Sequence, residues 1–395
     1  MYDIIISGAG PSGSQCAENL AKVGYKIALI ERDTNWRKPC GGGIHNMVTN
    51  IYPGLKKINV PIIRKMITYS ADFHFIEFDL KLPGIVMDRL EFDNFIRNSA
   101  VNAGVELFDK NISYDFIVKN KKRIGIKTKT SSCIKEYYGN IIIIADGMSS
   151  KLALKSGLRK KWKSEEIGVA KCAIMEGNSQ LDEETIYVYF KPYMGFGWIF
   201  PLGNNRFNIG CGTFYEDTLN YNLNHIYNDF LKEPKVKEYL ISSNYKVIWS
   251  GAYPLPGMGV LEKSLYADNL MLIGDAAGFT SPINGEGIPS SLISGKIAAE
   301  IALKALIEED YSINFLKRYK TNPEIKNYIR NFKLRYSVSS FFYENQGENL
   351  NKMLQLANED PEFKNQVRDL FLSSTEAIPS KDFFSRIKNA YLYQV

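Results

Sequence analysis

Asp3-Ile4-Ile5-Ile6-Ser7-Gly8-Ala9-Gly10-Pro11-Ser12-Gly13 is the stretch on which the fold turns. Its β-branched start reads as a buried strand, and Gly8, Gly10 and Gly13 form a G-x-G-x-x-G turn. Ser14–Val23 has a helical pattern that stops at Gly24, and a second strand, Lys26–Ile30, closes on Glu31. Strand, glycine turn, helix and strand make a βαβ unit. The glycines permit a tight turn and close backbone approach, and the helix N-terminus offers unpaired N–H groups to a pyrophosphate. Glu31 can accept hydrogen bonds from ribose hydroxyls, and its charge opposes a 2′-phosphate. A glycine turn without a nucleotide is the alternative, and the complete unit speaks against it.

The pattern continues outward. Ile141–Ile144 is a fully apolar strand ending at Ala145-Asp146-Gly147, and Asn269–Ile273 is another, running into Gly274-Asp275-Ala276-Ala277-Gly278. Helices are expected over Leu90–Ala103 and from near Gly287 through Leu306, and single strands over Tyr69–Leu80 and Tyr114–Thr128. Glu165–Tyr253 is rich in Tyr, Phe, Ile and Val, with turn signals at Gly203-Asn204-Asn205 and Pro254-Leu255-Pro256-Gly257. It reads as a mostly antiparallel sheet inserted into the α/β domain. Tyr311–Val395 is polar-aromatic and helical, broken at Pro323, Pro361 and Pro379. The expected fold class is therefore α/β: a Rossmann-like nucleotide domain (1–60, 84–160 and 262–305), an inserted substrate domain (61–83 and 161–261) and a C-terminal helical region (306–395).

Composition narrows the function classes. The chain has 395 residues, 45% of them hydrophobic and 23% charged, which suits a folded protein of two domains and excludes disorder. No stretch reaches the ~18 to 20 apolar residues of a membrane span. The N-terminus MYDIIISGAG lacks the features of an export signal. Five cysteines (Cys16, Cys40, Cys133, Cys172, Cys211) without C-x-x-C spacing and only three histidines predict a reducing, cytoplasmic setting and no metal site. The net charge of +6 reads as a solvated surface. Alternatively, the clusters Arg159–Lys163 and Lys317–Lys320 meet anionic headgroups. No nucleic-acid module accompanies them.

Three further features carry chemistry. Asp275, at the end of a late strand, suits a polyol hydroxyl of a flavin's ribityl chain, or caps the helix that follows. Cys40, flanked by glycines, is a packing group or faces a cofactor. Phe196, Trp198 and Phe200 alternate along a strand and so share one face, either as core or as an apolar tunnel wall.

The G-x-G-x-x-G unit, Arg89-Leu90-Glu91-Phe92-Asp93, Ala145-Asp146-Gly147 and Gly274–Gly278 occur in one order that resembles the FAD-dependent hydroxylase-type flavoproteins. Lys38-Pro39-Cys40-Gly41-Gly42-Gly43 resembles the Pro-Cys-Gly-Gly loop of the geranylgeranyl reductases, including their archaeal phospholipid-reducing branch. Gly195–Pro201 resembles that family's Tyr-x-Trp-x-Phe-Pro motif, with Phe196 in the place of Tyr, and Pro282–Ile288 fits its Pro-x-x-Gly-Glu-Gly-Ile. The resemblance spans residues 1–305.

This resemblance implies an FAD-dependent oxidoreductase acting on CH–CH groups, saturating the double bonds of geranylgeranyl chains on archaeal ether phospholipids. It implies that Gly8, Gly10, Ser12, Gly13 and Glu31 hold the ADP half of FAD, Arg89 its centre and Asp275 its ribityl chain. Cys40, Gly41 and Gly43 would lie beside the isoalloxazine, with Cys40 as the catalytic candidate that positions flavin or alkene or delivers a proton, and Gly285, Gly287 and Ile288 at the pyrimidine edge. Phe196, Trp198, Phe200 and Pro201 would contact the lipid. Electrons would come from a ferredoxin or a soluble hydride carrier, and the protein would sit peripherally on the inner face of the cell membrane. The rivals are a hydroxylase, which the Cys40 loop disfavours, a halogenase, which the missing Trp-x-Trp-x-Ile-Pro disfavours, and a non-catalytic lipid-binding flavoprotein.

Overall fold

In the computed structural model, residues 1–71, 74–191, 195–220, 222–240, 245–372 and 380–389 are described. The strand Tyr2–Ser7 lies between Ile27–Ile30 and Ile134–Ile144 and runs parallel to both, with Ile4 opposite Ile27 on one side and Ile141 on the other. Ile4–Ile6 and Ile141–Ile144 are wholly buried, as continuous apolar strands are when a parallel sheet is covered on both faces. Glu106–Phe108 extends the sheet beyond Ile27–Ile30, and Leu270–Leu272 and Tyr266–Ala267 extend it on the opposite side. The helix Pro11–Ala21 packs on the helix Ile288–Ile307 so closely that a Cβ on Gly295 would fall 2.3 Å from the Ser12 carbonyl oxygen.

The second sheet has the order Lys246–Pro256, Ile167–Glu176, Arg206–Phe214, Gly195–Gly203, Thr185–Phe190, Ile62–Tyr69, Phe75–Val86 and Gly43–Ile44. Its pairs are antiparallel except that Thr185–Phe190 runs parallel to Ile62–Tyr69. The two-residue strand Gly43–Ile44 pairs with Ile85 and Val86, so the segment after Cys40 is stitched directly to this sheet.

Two expected single strands are hairpins. Tyr114–Thr128 divides into Ile112–Lys119 and Lys122–Lys129, turning at Asn120 and Lys121, whose φ values are +50° and +62°. Tyr69–Leu80 spans the end of Ile62–Tyr69 and the start of Phe75–Val86, paired at Tyr69 and Phe75. In both places polar and apolar residues alternate on either side of a turn that lacks glycine and proline, so periodicity alone runs straight through it.

The basic clusters are also partly internal. Arg159 is 3% exposed and donates to the Met148 and Ser150 carbonyls, while Lys320 donates to the carbonyls of Glu262 and Lys263.

Residues 313–372 and 381–389 form helices, with Pro323 and Pro361 each starting one, where a missing N–H costs nothing. Pro379 and residues 390–395 lie outside the described residues. Phe342, Leu350, Met353, Phe363, Val367 and Phe383 form one apolar cluster with Met66, Ile76, Phe78 and Phe190 of the second sheet. The Phe363 ring stacks on Phe383 at 4.9 Å and is fully buried. Phe363→Ala should lower unfolding free energy by about 3–5 kcal/mol, read from the urea midpoint.

Candidate active site

The glycine turn leaves the first sheet under tight steric control. A Cβ on Gly13 would fall 1.9 Å from the Gly8 carbonyl oxygen, so only glycine lets the helix start this close to the strand end. Glu31 closes the turn from the neighbouring strand, with Oε2 accepting from Ala9 N at 2.8 Å and Oε1 from Asp33 N at 3.1 Å.

A cavity of about 830 Å³ opens from this turn. Gly8, Gly10, Ser12 and Glu31 line it, joined by Asp146 from the Ala-Asp-Gly turn. A Cβ placed on Gly10 would meet no atom within 4 Å, so the turn faces open space there. Asp146 Oδ1 has no hydrogen-bond partner, and burial pushes its carboxyl up to about 6. Gly13 does not line the cavity, because it is spent on the contact with Gly8.

Asp275 lines the same cavity, with Oδ2 2.5 Å from Lys38 Nζ and Oδ1 accepting from Thr280 at 3.2 Å. It does not cap the long helix that follows, whose N-cap is Gly287. That helix end carries no side-chain cap, and Gly285, Gly287 and Ile288 line the cavity, so its positive dipole end faces the space. Burial raises the carboxyl of Glu286 in this loop. Arg89 is 5% exposed and forked onto Asp93, with Nη2 3.0 Å from both carboxylate oxygens. Burial opposes its charge, but the Asp93 carboxylate holds its pKa above the ordinary value. Arg89 therefore reaches the cavity wall already paired.

Cys40, Gly41 and Gly43 cross the cavity against the second sheet. A Cβ on Gly41 would lie 2.7 Å from the Phe200 ring and 3.0 Å from Trp198 Nε1, so glycine lets this loop lie flat on both rings. Asn208 Nδ2 donates to the Cys40 carbonyl at 2.8 Å, and Trp198 Nε1 donates to Asn208 Oδ1 at 2.9 Å. Phe196, Trp198 and Phe200 all line the cavity, with neighbouring ring centroids 5.9 and 6.4 Å apart, which decides for a wall over closed core. Pro201, one residue out of phase, is turned away from it. Ile186, Phe190 and Phe371 add apolar surface, the last from the C-terminal helices.

No family model matches the sequence. A digeranylgeranylglycerophospholipid reductase of Methanococcoides burtonii is 31% identical over 335 residues, covering 81% of this chain and 79% of the relative. The chain belongs to this family. A second member, from Methanopyrus kandleri, is 28% identical over 362 residues and covers 90% of both chains. Among solved structures, a geranylgeranyl bacteriochlorophyll reductase-like protein of Thermoplasma acidophilum superposes with a TM-score of 0.84 at 22% identity, covering 99% of this chain and 97% of that one. A flavin-dependent brominase superposes at 0.77 with 19% identity, covering 99% and 98%. These two likenesses show the fold that digeranylgeranylglycerophospholipid reductases share with a wider set of proteins.

Lys38, Asp146 and Asn208 are site residues to which the sequence assigns no role. Lys38 and Asp146 stand inside recognisable motifs, whereas Asn208 is an ordinary strand residue with no signal around it. In this reductase-family chain the raised Asp146 carboxyl penalises folding above pH 6, and the penalty fades as pH falls toward the unfolded value of 3.8. Asp146→Asn should thus stabilise the cofactor-free protein by about 1–3 kcal/mol at pH 7.5, with the gain in Tm vanishing near pH 4. Gly41→Ala should force the loop off the rings and destabilise the folded protein by about 1–3 kcal/mol, read from the urea midpoint.

Proposed function

We propose that this chain is an FAD-dependent reductase that saturates isolated carbon–carbon double bonds of geranylgeranyl chains on archaeal ether phospholipids. One observation carries the reading: Gly41 lays the Cys40 loop on Trp198 and Phe200 inside a cavity that also holds the nucleotide turn. A cofactor loop and an apolar wall meet there without a gap.

The residues fit FAD. The open face of Gly10, the unpartnered Asp146 oxygen and the uncapped helix at Gly287 are three places that invite a polar ligand. Ser12 and Glu31 would hold the ADP half, with Arg89 at the centre and Asp275, with Lys38, at the ribityl chain. Cys40, Gly41 and Gly43 would lie against the ring, and the Gly285–Ile288 backbone would face its pyrimidine edge, where a helix N-terminus favours negative charge. When bound and reduced, FAD supplies the hydride.

The protein's own part is positioning. An isolated alkene offers no carbonyl to polarise, so the wall must hold it in register and keep water out. Phe196, Trp198, Phe200, Phe190 and Phe371 do this with flat apolar faces. Phe196 carries no hydroxyl, and the nearby phenol is that of Tyr343, which lines the cavity and donates to the Gly195 carbonyl at 2.8 Å. The proton for the second alkene carbon then comes from the Cys40 thiol or from water. Electrons arrive from a ferredoxin or a soluble hydride carrier, since a second glycine-turn βαβ unit is absent among the described residues. None of the described helices is long and apolar enough to cross a membrane, and a bilayer-borne substrate calls for peripheral contact on its cytoplasmic side.

Anaerobic incubation of dithionite-reduced protein with a geranylgeranyl phospholipid should give mass gains of two hydrogens per bond with flavin reoxidation. A hydroxylated product that needs oxygen, with no saturation, would sink the proposal in favour of a hydroxylase.

A further inference from the structure

Asn208 joins the Cys40 loop to the aromatic wall carried by the second sheet. It sits on Arg206–Phe214, is 4% exposed, and uses both ends of its amide. The nitrogen donates to the Cys40 carbonyl and the oxygen accepts from the Trp198 indole. The same Cys40 carbonyl accepts a second, longer bond from the Cys172 thiol at 3.7 Å. Two donors on one carbonyl fix the orientation of the peptide between Cys40 and Gly41, and with it the direction in which the Cys40 thiol leaves the loop.

We infer that Asn208 is a positioning residue that sets the Cys40 loop at a fixed height above the aromatic wall. It does not line the cavity and acts through the two groups it bonds. A buried amide cannot give up one of these bonds without leaving a polar atom unpaired, so loop and wall are held as a single body. Hydride transfer to an alkene depends steeply on the gap between donor and acceptor atoms. Loop and wall stand in contact on one side of the cavity, so their joint placement would set how far an alkene lying there is from a flavin ring. The catalytic consequence rests on the reductase reading, whereas the positional claim does not.

The test uses Asn208→Leu, which removes both bonds at similar size, and Asn208→Asp, which retains an acceptor for Trp198 but loses the donor to Cys40. Both are made in a Cys133→Ala background, because Cys133 is exposed and would be labelled first. Iodoacetamide labelling of the cofactor-free proteins, read by peptide mass spectrometry, should show Cys40 reacting about fivefold faster or more in both variants. Buried Cys16 should stay unlabelled, reporting an intact fold. In the FAD-loaded, reduced enzyme, flavin reoxidation at saturating lipid should slow about tenfold or more with KM little changed.

The inference is overturned by wild-type labelling of Cys40, by labelling of Cys16 in step with Cys40, or by wild-type reoxidation in both variants. Should the parent enzyme fail to pass electrons to the lipid at all, the reductase reading falls and the labelling still decides the role of Asn208.

Discussion

The peptide around Cys40 and Gly41 is where this molecule's two sheets are made to agree. A glycine without a Cβ lies within ring contact of Trp198 and Phe200, and the preceding carbonyl is held by Asn208. Two residues later Gly43–Ile44 becomes the edge strand of the antiparallel sheet. The loop therefore leaves the first sheet, forms one side of the cavity and ends as part of the second. Any ligand held by the glycine turn is thereby placed against the apolar wall without a hinge between them.

Much of this was readable from residues alone, for a physical reason. The glycine turn and the aromatic triplet are local patterns in which chemistry demands certain residue types at certain spacings, while the Cys40 loop was placed by its resemblance to the geranylgeranyl reductases. Alternation placed Phe196, Trp198 and Phe200 on one face, and the same rule turns Pro201 away from it. Gly13 shows the limit of motif reading. It belongs to the nucleotide signature, yet what its lack of a Cβ permits is the close packing against Gly8. Asp275 shows another, since its partner Lys38 comes from far away in the sequence and no spacing rule links them.

The less legible parts share a cause: they are set by long-range contacts. Asn208 matters because of what stands opposite it across two strands and a loop. The hairpins at Asn120-Lys121 and after Tyr69 were hidden because the alternation of their strands continues through turns lacking glycine and proline. The basic clusters looked like surface because a charge run carries no sign of being buried. Arg159 is drawn inward by carbonyls that only the folded chain assembles.

The C-terminal helices carry no family signature, yet they cover Met66, Ile76, Phe78 and Phe190 and bring Phe371 to the cavity. Were the chain cut before Asn322, those sheet residues would become a contiguous greasy surface bordering the cavity, open to water on one side. Cover for the sheet and closure of the cavity are thus entrusted to the same stretch of chain.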